Sequence, residues 1–216
     1  IITNQVPHTG HIILNRPGVH NAMQIGMIRE LSEAIREYNT RDGIRIILLS
    51  ENGANFSAGP ALEWMRKGLE QEKEELYRES RELAMLFNDI YNSHRVTVAL
   101  AKGKVMGGAN GIMAAADIPL ATPDASFAFS EVKLGLIPAT IAPYIVQRAG
   151  TAAANEWMLS GRPITAAEAM QKGLISRIVT DEEARQPEKL PEPLLRNGPE
   201  AMNGVKRMFR EGNLQL

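Results

Sequence analysis

Three observations on the 216-residue chain predict an α/β fold. Short continuous apolar runs, Ile44 to Leu49 and Val96 to Ala101, have the length and content of strands buried on both faces. Longer segments with helical spacing, Ala22 to Tyr38 and Leu69 to Tyr91, carry their apolar residues on one side. The two kinds of segment alternate along the chain, as they do in α/β domains.

Taken in order, His11 to Asn15 reads as a short strand. Ala22 to Tyr38 reads as a helix with Met27, Leu31, Ile35 and Tyr38 on one face. Ile44 to Leu49 is a buried strand, ended by the turn Glu51-Asn52-Gly53. Leu69 to Tyr91 is a long charged helix striped by Leu69, Leu76, Leu83 and Phe87. Val96 to Ala101 is a second buried strand. A glycine-containing stretch, Gly103 to Gly111, leads into a helix ending at Ala116. Strands follow at Ile118 to Ala121 and Ser126 to Phe129. Thr165 to Lys172 is a helix with Thr165 and Glu168 at capping-box spacing, closed by Gly173. Ile175 to Val179 is the last strand. Pro187, Pro191 and Pro193 are expected to break any helix between 180 and 198. Pro199 to Arg210 is a final helix with proline in its first turn.

Composition narrows the function. A hydrophobic fraction of 44% supports a real core, and the length suits one domain or a domain with a small appendage. A net charge of -1 gives no general basic surface for nucleic acid, although a local Lys/Arg patch would still meet phosphates. With no cysteine, disulfides, thiol catalysis and cysteine-bound metal are excluded, which fits a reducing compartment. No apolar run is long enough to span a membrane, and Ile1 to Asn4 has neither the basic flank nor the apolar core of a secretion signal. Asn55-Phe56-Ser57 matches the glycosylation pattern, and is read as chance. A cytoplasmic protein is expected. His8, His11, His20 and His94 lack metal-ligand spacing, so no metal is expected. Dinucleotide and triphosphate glycine loops are absent, and neither Ser57 nor Ser130 has the setting of a hydrolase nucleophile.

Three segments carry chemistry together. The first is Leu14-Asn15-Arg16-Pro17 with His20-Asn21-Ala22-Met23. The second is Asn55-Phe56-Ser57-Ala58-Gly59. The third runs from Gly107-Gly108 through Asp117 to Phe127 and Glu131-Val132-Lys133-Leu134-Gly135-Leu136-Ile137-Pro138. Singly each is weak. In this order and spacing they resemble the enoyl-CoA hydratase/isomerase (crotonase) superfamily over nearly the whole stretch from Ile13 to Val179. Leu159-Ser160-Gly161 and Ala166 to Ile175 are similar to the helices that follow in that family.

The resemblance implies a right-handed spiral of repeated ββα units over residues 1–150. It implies a C-terminal helical region over 151–216 for oligomerisation and cover of the active site, and assembly as a homotrimer or a hexamer of paired trimers. It also implies an acyl-CoA substrate, with coenzyme A as part of the substrate and no permanently bound cofactor. The thioester carbonyl would sit in an oxyanion hole of two backbone N–H groups that stabilise an enolate. Such donors are each worth about 3–4 kcal/mol in other enzymes.

Carried over by position, one donor is the N–H of Gly108, where a glycine lets a ligand approach the backbone. The other falls on Pro60, which has no N–H. Either Gly59 or Ala61 supplies the amide from a shifted loop, or the hole has one donor. Of the two glutamates of family hydratases, Glu131 matches the proton-transfer residue. Its bland alternative is a surface pair with Lys133. The other glutamate is absent, its position falling on Gly111 beside Asn110. The backbone around His20, Ala22 and Ala58, with Pro60, Leu62, Gly107, Gly111 and Ser130, would line the substrate path. Arg16 and Lys67 are candidates for the phosphates, and Trp64 and Met65 for the acyl pocket, unless they are simply surface and core respectively.

Leu62-Glu63-Trp64-Met65 and Phe129-Ser130-Glu131 through Ala142-Pro143-Tyr144 resemble a bacterial hydratase branch associated with 3-methylglutaconyl-CoA in leucine breakdown. Hydration of a 2-enoyl-CoA is therefore expected first. A double-bond isomerase using one glutamate is the alternative within enzymes. A non-catalytic acyl-CoA-binding protein is the alternative outside them, motivated by Pro60 and Gly111.

Overall fold

The computed structural model describes residues 1–61, 64, 66 and 71–210. Its main sheet has six strands: β1 (Ile2–Val6), β2 (Thr9–Leu14), β3 (Ile46–Glu51), β4 (Val96–Ala101), β6 (Ile118–Ala121) and β9 (Arg177–Ile178), neighbours in that order. β1 is antiparallel to β2; every other pair is parallel. A second sheet holds β5 (Lys104–Met106), β7 (Ser126–Ala128) and β8 (Pro163–Thr165). The chain turns a corner from the first sheet to the second each time round. β4 continues into β5, β6 continues into β7, and β3 leads to Ser57, which bridges Val105 of β5 in parallel. Each turn is thus two strands and a helix, the repeating unit of a ββα spiral.

The continuous apolar runs are strands covered on both faces. Ile47, Leu49 and Ala99 face the main core, whereas Ile46, Leu48, Val98 and Leu100 face a second one. The main core is filled by α1 (Ile25–Thr40), α2 (Lys73–Tyr91), α3 (Ala109–Ala115) and α4 (Ala142–Ser160). In α1 the expected face is buried: Met27, Leu31, Ile35 and Tyr38. In α2 the stripe differs. Phe87 is buried with Leu86 and Ile90, but Leu76 is 37% exposed and Leu83 half-buried, because only the second half of the helix lies on the core. Leu69, the first residue of that expected stripe, lies outside the described residues.

The C-terminal elements are α5 (Ala166–Gln171), α6 (Asp181–Arg185) and α7 (Pro199–Arg210). Leu190, Leu194, Leu195 and Met202 pack on the second core. The expectation that prolines forbid a helix over 180–198 is corrected by α6. Its single turn closes before Pro187, and Thr180 and Glu183 form a reciprocal capping box. At α5 the Thr165 hydroxyl does accept from the Glu168 N–H, but the Glu168 carboxylate turns to Arg162 and Trp157, so that box is half-made. α7 is clamped by charge. Asp117 accepts from the Thr97 N–H and hydroxyl, pairs with Lys206 at 2.6 Å, and pairs with Arg210, which lies over the Tyr91 ring. Arg148 donates to the carbonyls of Ala114, Ala116 and Asp117 where α3 ends. No helix among the described residues is long and apolar enough to cross a membrane.

Glu51, at the end of β3, is buried with the Lys102 ammonium 3.5 Å away. Burial outweighs that partner and pushes its carboxyl up from 4.5 to about 8. Between those pH values the folded chain holds a proton that the unfolded chain has released, so stability falls as pH rises through the window. Glu51→Gln should remove this slope and raise Tm more at pH 9 than at pH 5. Parallel Tm profiles for variant and parent would refute the assignment.

Candidate active site

Glu131 is the second residue of a short 3-10 turn (Ser130–Leu134) after β7, and the turn is held from behind. Phe129 and Trp157 are both fully buried and their rings stack at 5.9 Å, 2° from parallel. Glu131 Oε2 is buried without a hydrogen-bond partner, and the carboxyl makes no ion pair among the described residues. The expected bland alternative, a pair with Lys133, is not formed; the Lys133 chain runs toward Gly161 instead. Desolvation raises the carboxyl above the ordinary glutamate range, opposed only by a backbone hydrogen bond.

Gly107 faces this carboxyl. Its φ of +53° suits glycine, and a methyl group there would lie 3.3 Å from Glu131 Oε1 and 3.5 Å from Pro60 Cδ. Glu131, Gly107 and Pro60 therefore meet at one place. Gly108 follows as the residue before α3, and its N–H makes no hydrogen bond among the described residues. A side chain at Gly108 would approach Met23 Sδ at 3.6 Å and Leu83 Cδ2 at 3.8 Å. Met23 and Leu83 are thus neighbours of Gly108, Leu83 having been expected only in a helix stripe. Their apolar spacing was visible; their direction was not.

The two substitute donors are occupied. The Gly59 N–H donates to Ser57 Oγ at 3.2 Å and the Ala61 N–H to the Met23 carbonyl at 2.8 Å. Met23 and Pro60 form an isolated parallel bridge, with the Met23 N–H on the Gly59 carbonyl. In such a bridge the nitrogen of Pro60 points away from Met23, and its Cδ fills the place an amide proton would take. Among the described residues the Gly59 and Ala61 amides are thus engaged, Pro60 has none to offer, and the Gly108 N–H has no partner.

Gly111 lies in the core. A methyl group there would come within 2.6 Å of Phe87 Cζ and Ile141 Cγ2. The place of the first side-chain carbon is already taken by a ring and a branched chain. Gly111→Ala should lower stability by about 1–3 kcal/mol through overpacking, against roughly 1 kcal/mol gained in helix propensity. A Tm equal to or above the parent's would show that Phe87 and Ile141 yield freely.

The remaining expected residues form one loop cluster. Asn21, buried and at positive φ, accepts from the Arg16 N–H and donates to the carbonyls of Asn52 and Asn55. The Ala58 N–H donates to the His20 carbonyl, and the His20 ring meets the Asn55 amide at 3.1 Å. Arg16 donates to the Ala22 carbonyl at 2.7 Å, which commits one end of its guanidinium to the loop. Ser130 is half-buried beside Glu131. Trp64 packs against the core and donates to Glu79 at 2.6 Å, tying it to α2. Leu62, Met65 and Lys67 lie outside the described residues.

A ββα spiral with a desolvated glutamate beside a glycine turn is a distinctive class of α/β fold, and similarity to known proteins specifies it. A model of the family described as enoyl-CoA hydratase/isomerase matches residues 8–213, and the chain belongs to that family. It is 31% identical over 211 residues to the Mycobacterium tuberculosis enoyl-CoA hydratase EchA19, covering 94% of this chain and 77% of that one. It is 30% identical over 180 residues to the Alternaria alternata enoyl-CoA hydratase AFT6-1, covering 82% of this chain and 57% of that one. The crystal structure of an enoyl-CoA hydratase from Shewanella pealeana superposes with a TM-score of 0.92 at 34% identity, over 97% of this chain and 78% of that one.

Proposed function

We propose that this chain hydrates a 2-enoyl-CoA thioester with Glu131 as its single proton-transfer group. The observation that carries the proposal is the desolvated Glu131 carboxyl, its Oε2 buried without a partner, facing the Gly107 turn that leads to Gly108, whose N–H has no partner among the described residues. The thioester oxygen accepts from that N–H, which stabilises the enolate. The Glu131 carboxylate takes a proton from water as the water oxygen bonds to C3 and the C2–C3 π bond breaks, and then returns the proton to C2. The sum is addition of one water. His20, Ala22, Ala58, Gly59, Pro60 and Gly107 line the path of the coenzyme A arm in this proposal, and 3-methylglutaconyl-CoA is the acyl group the sequence resemblance singles out.

A second reaction, double-bond isomerisation, is favoured by one observation: Phe87 and Ile141 fill the space at Gly111 where a second carboxylate would hold water. Isomerisation needs only that one proton leave C2 and return at C4.

Turnover of crotonyl-CoA, 3-methylglutaconyl-CoA and a 3-enoyl-CoA separates these. Hydration of either 2-enoyl thioester supports the first, and isomerisation alone the second. Binding without turnover would leave a non-catalytic acyl-CoA protein. Both reactions start from ionised Glu131, so kcat should fall as pH drops through a value above the ordinary glutamate range. An acid limb near 4 would contradict the desolvated site.

The proposal includes a homotrimer, alone or paired into a hexamer, working in the cytoplasm. Residues 1–150 form its catalytic spiral, and 151–216 its region for assembly and cover of the site. Leu134, Leu136, Ile137 and Leu159 are 54–85% exposed around the Glu131 turn, an apolar surface suited to a neighbouring subunit. Sedimentation should give three or six copies; a monomer at micromolar concentration would sink this part.

A further inference from the structure

Asn110 is fully buried, yet nothing in the reaction above uses it. Its side-chain amide donates to the carbonyls of Ala128 at 2.9 Å, Gly107 at 3.0 Å and Val105 at 3.3 Å. Its Oδ1 is buried with no partner. A buried amide that leaves its acceptor unpaired is held in place for its donors. Those donors join the ends of two strands. Val105 and Gly107 belong to β5 and the turn after it, and Gly108 comes next. Ala128 ends β7, three residues before Glu131. The Gly107 N–H also donates to the Ala128 carbonyl, at 3.0 Å, so the amide reinforces the junction just where the parallel β5–β7 ladder ends.

We infer that Asn110 is a positioning residue that sets the distance between the Gly108 N–H and the Glu131 carboxyl. The inference rests on the proposed roles of those two groups. Without the amide, the β5 and β7 ends are joined by backbone alone, and the carbonyl-polarising donor drifts relative to the proton-transfer carboxyl. Misplacement by about 1 Å costs on the order of 100-fold in rate. Binding of the coenzyme A arm, on the His20 to Ala22 and Ala58 loops, is left intact.

The test is Asn110→Ala, with steady-state kinetics on the thioester that the parent enzyme turns over. The expected result is kcat down about 100-fold with KM within about threefold. A spectroscopic measurement goes beside it. In the Glu131→Gln background, which should not turn it over, a bound dienoyl-CoA absorbs to the red when its carbonyl is polarised. Adding Asn110→Ala should diminish that red shift. Loss of folded protein alone would lower the active fraction and leave the bound spectrum unchanged, so an unchanged shift with unchanged kcat per active site overturns the inference. If Asn110→Ala does not fold, Asn110→Ser, which keeps one donor, is measured the same way and judged by the same two outcomes. Glu131→Gln separates the levels. Full turnover in that variant overturns the site assignment and this inference together, whereas an inactive Glu131→Gln beside a normal Asn110→Ala overturns this inference alone.

Discussion

Glu131→Gln should lose turnover by roughly 100- to 10,000-fold, the usual contribution of a positioned acid–base group. The amide matches the carboxyl in shape and keeps the Ser130 turn and the Phe129–Trp157 stack that supports it. It cannot accept a proton at any working pH. Stability should not fall, because a desolvated carboxyl with one unpaired oxygen is being replaced by a neutral group. The measurement is kcat and KM for the active thioester beside a thermal melt. Retention of more than a tenth of the parent kcat would remove Glu131 from the mechanism.

Pro60→Ala should act in the opposite direction and raise kcat, by about 100-fold if the restored N–H becomes a full oxyanion donor. The expectation comes from direction. Met23 is bonded to Gly59 and Ala61 on one side of the loop, which leaves the Pro60 nitrogen on the other, with its Cδ toward Gly107 and the Glu131 carboxyl. Alanine replaces that Cδ with an N–H and demands no new backbone path. The unfolded chain gains freedom, so about 0.4–1 kcal/mol of stability is lost. A faster but slightly less stable enzyme is the signature to look for. A kcat within threefold of the parent would mean that the carbonyl does not sit where Pro60 points.

The sequence made the fold legible where burial wrote it in apolar spacing. Val96 to Ala101 and Pro199 to Arg210 have the expected bounds, and the four residues expected on the inner face of α1 are all buried, joined there by Ile28, Ser32 and Ala34. The elements that were missed lack such a signal. β1 is the polar edge strand Ile2–Val6, four of its five residues exposed, and β5 and β8 are three residues each, formed only because the spiral brings them together. α4 was missed because Pro143 stands at its start and Gly150 interrupts it. At the site, motif order located Glu131, Gly107 and Pro60, which do converge, and Gly108, the next residue along the chain. The brace by Asn110 and the filling of the Gly111 space by Phe87 and Ile141 depend on side chains distant in the chain meeting in three dimensions. No spacing rule announces them.

The packing at Gly111 has an evolutionary consequence. One base change converts some glycine codons to glutamate codons, so a two-carboxylate site is a single step away by genetics. By physics it is not, because Phe87 and Ile141 occupy the space. Shrinking Phe87 first leaves a void that costs about 3–5 kcal/mol, a large part of an ordinary domain's stability. Adding the glutamate first forces a charged group into an apolar core. Each order passes through a destabilised intermediate. If the proposed one-carboxylate chemistry holds, the core behind the site works as a ratchet: every step toward a second carboxylate at position 111 loses stability before it gains chemistry.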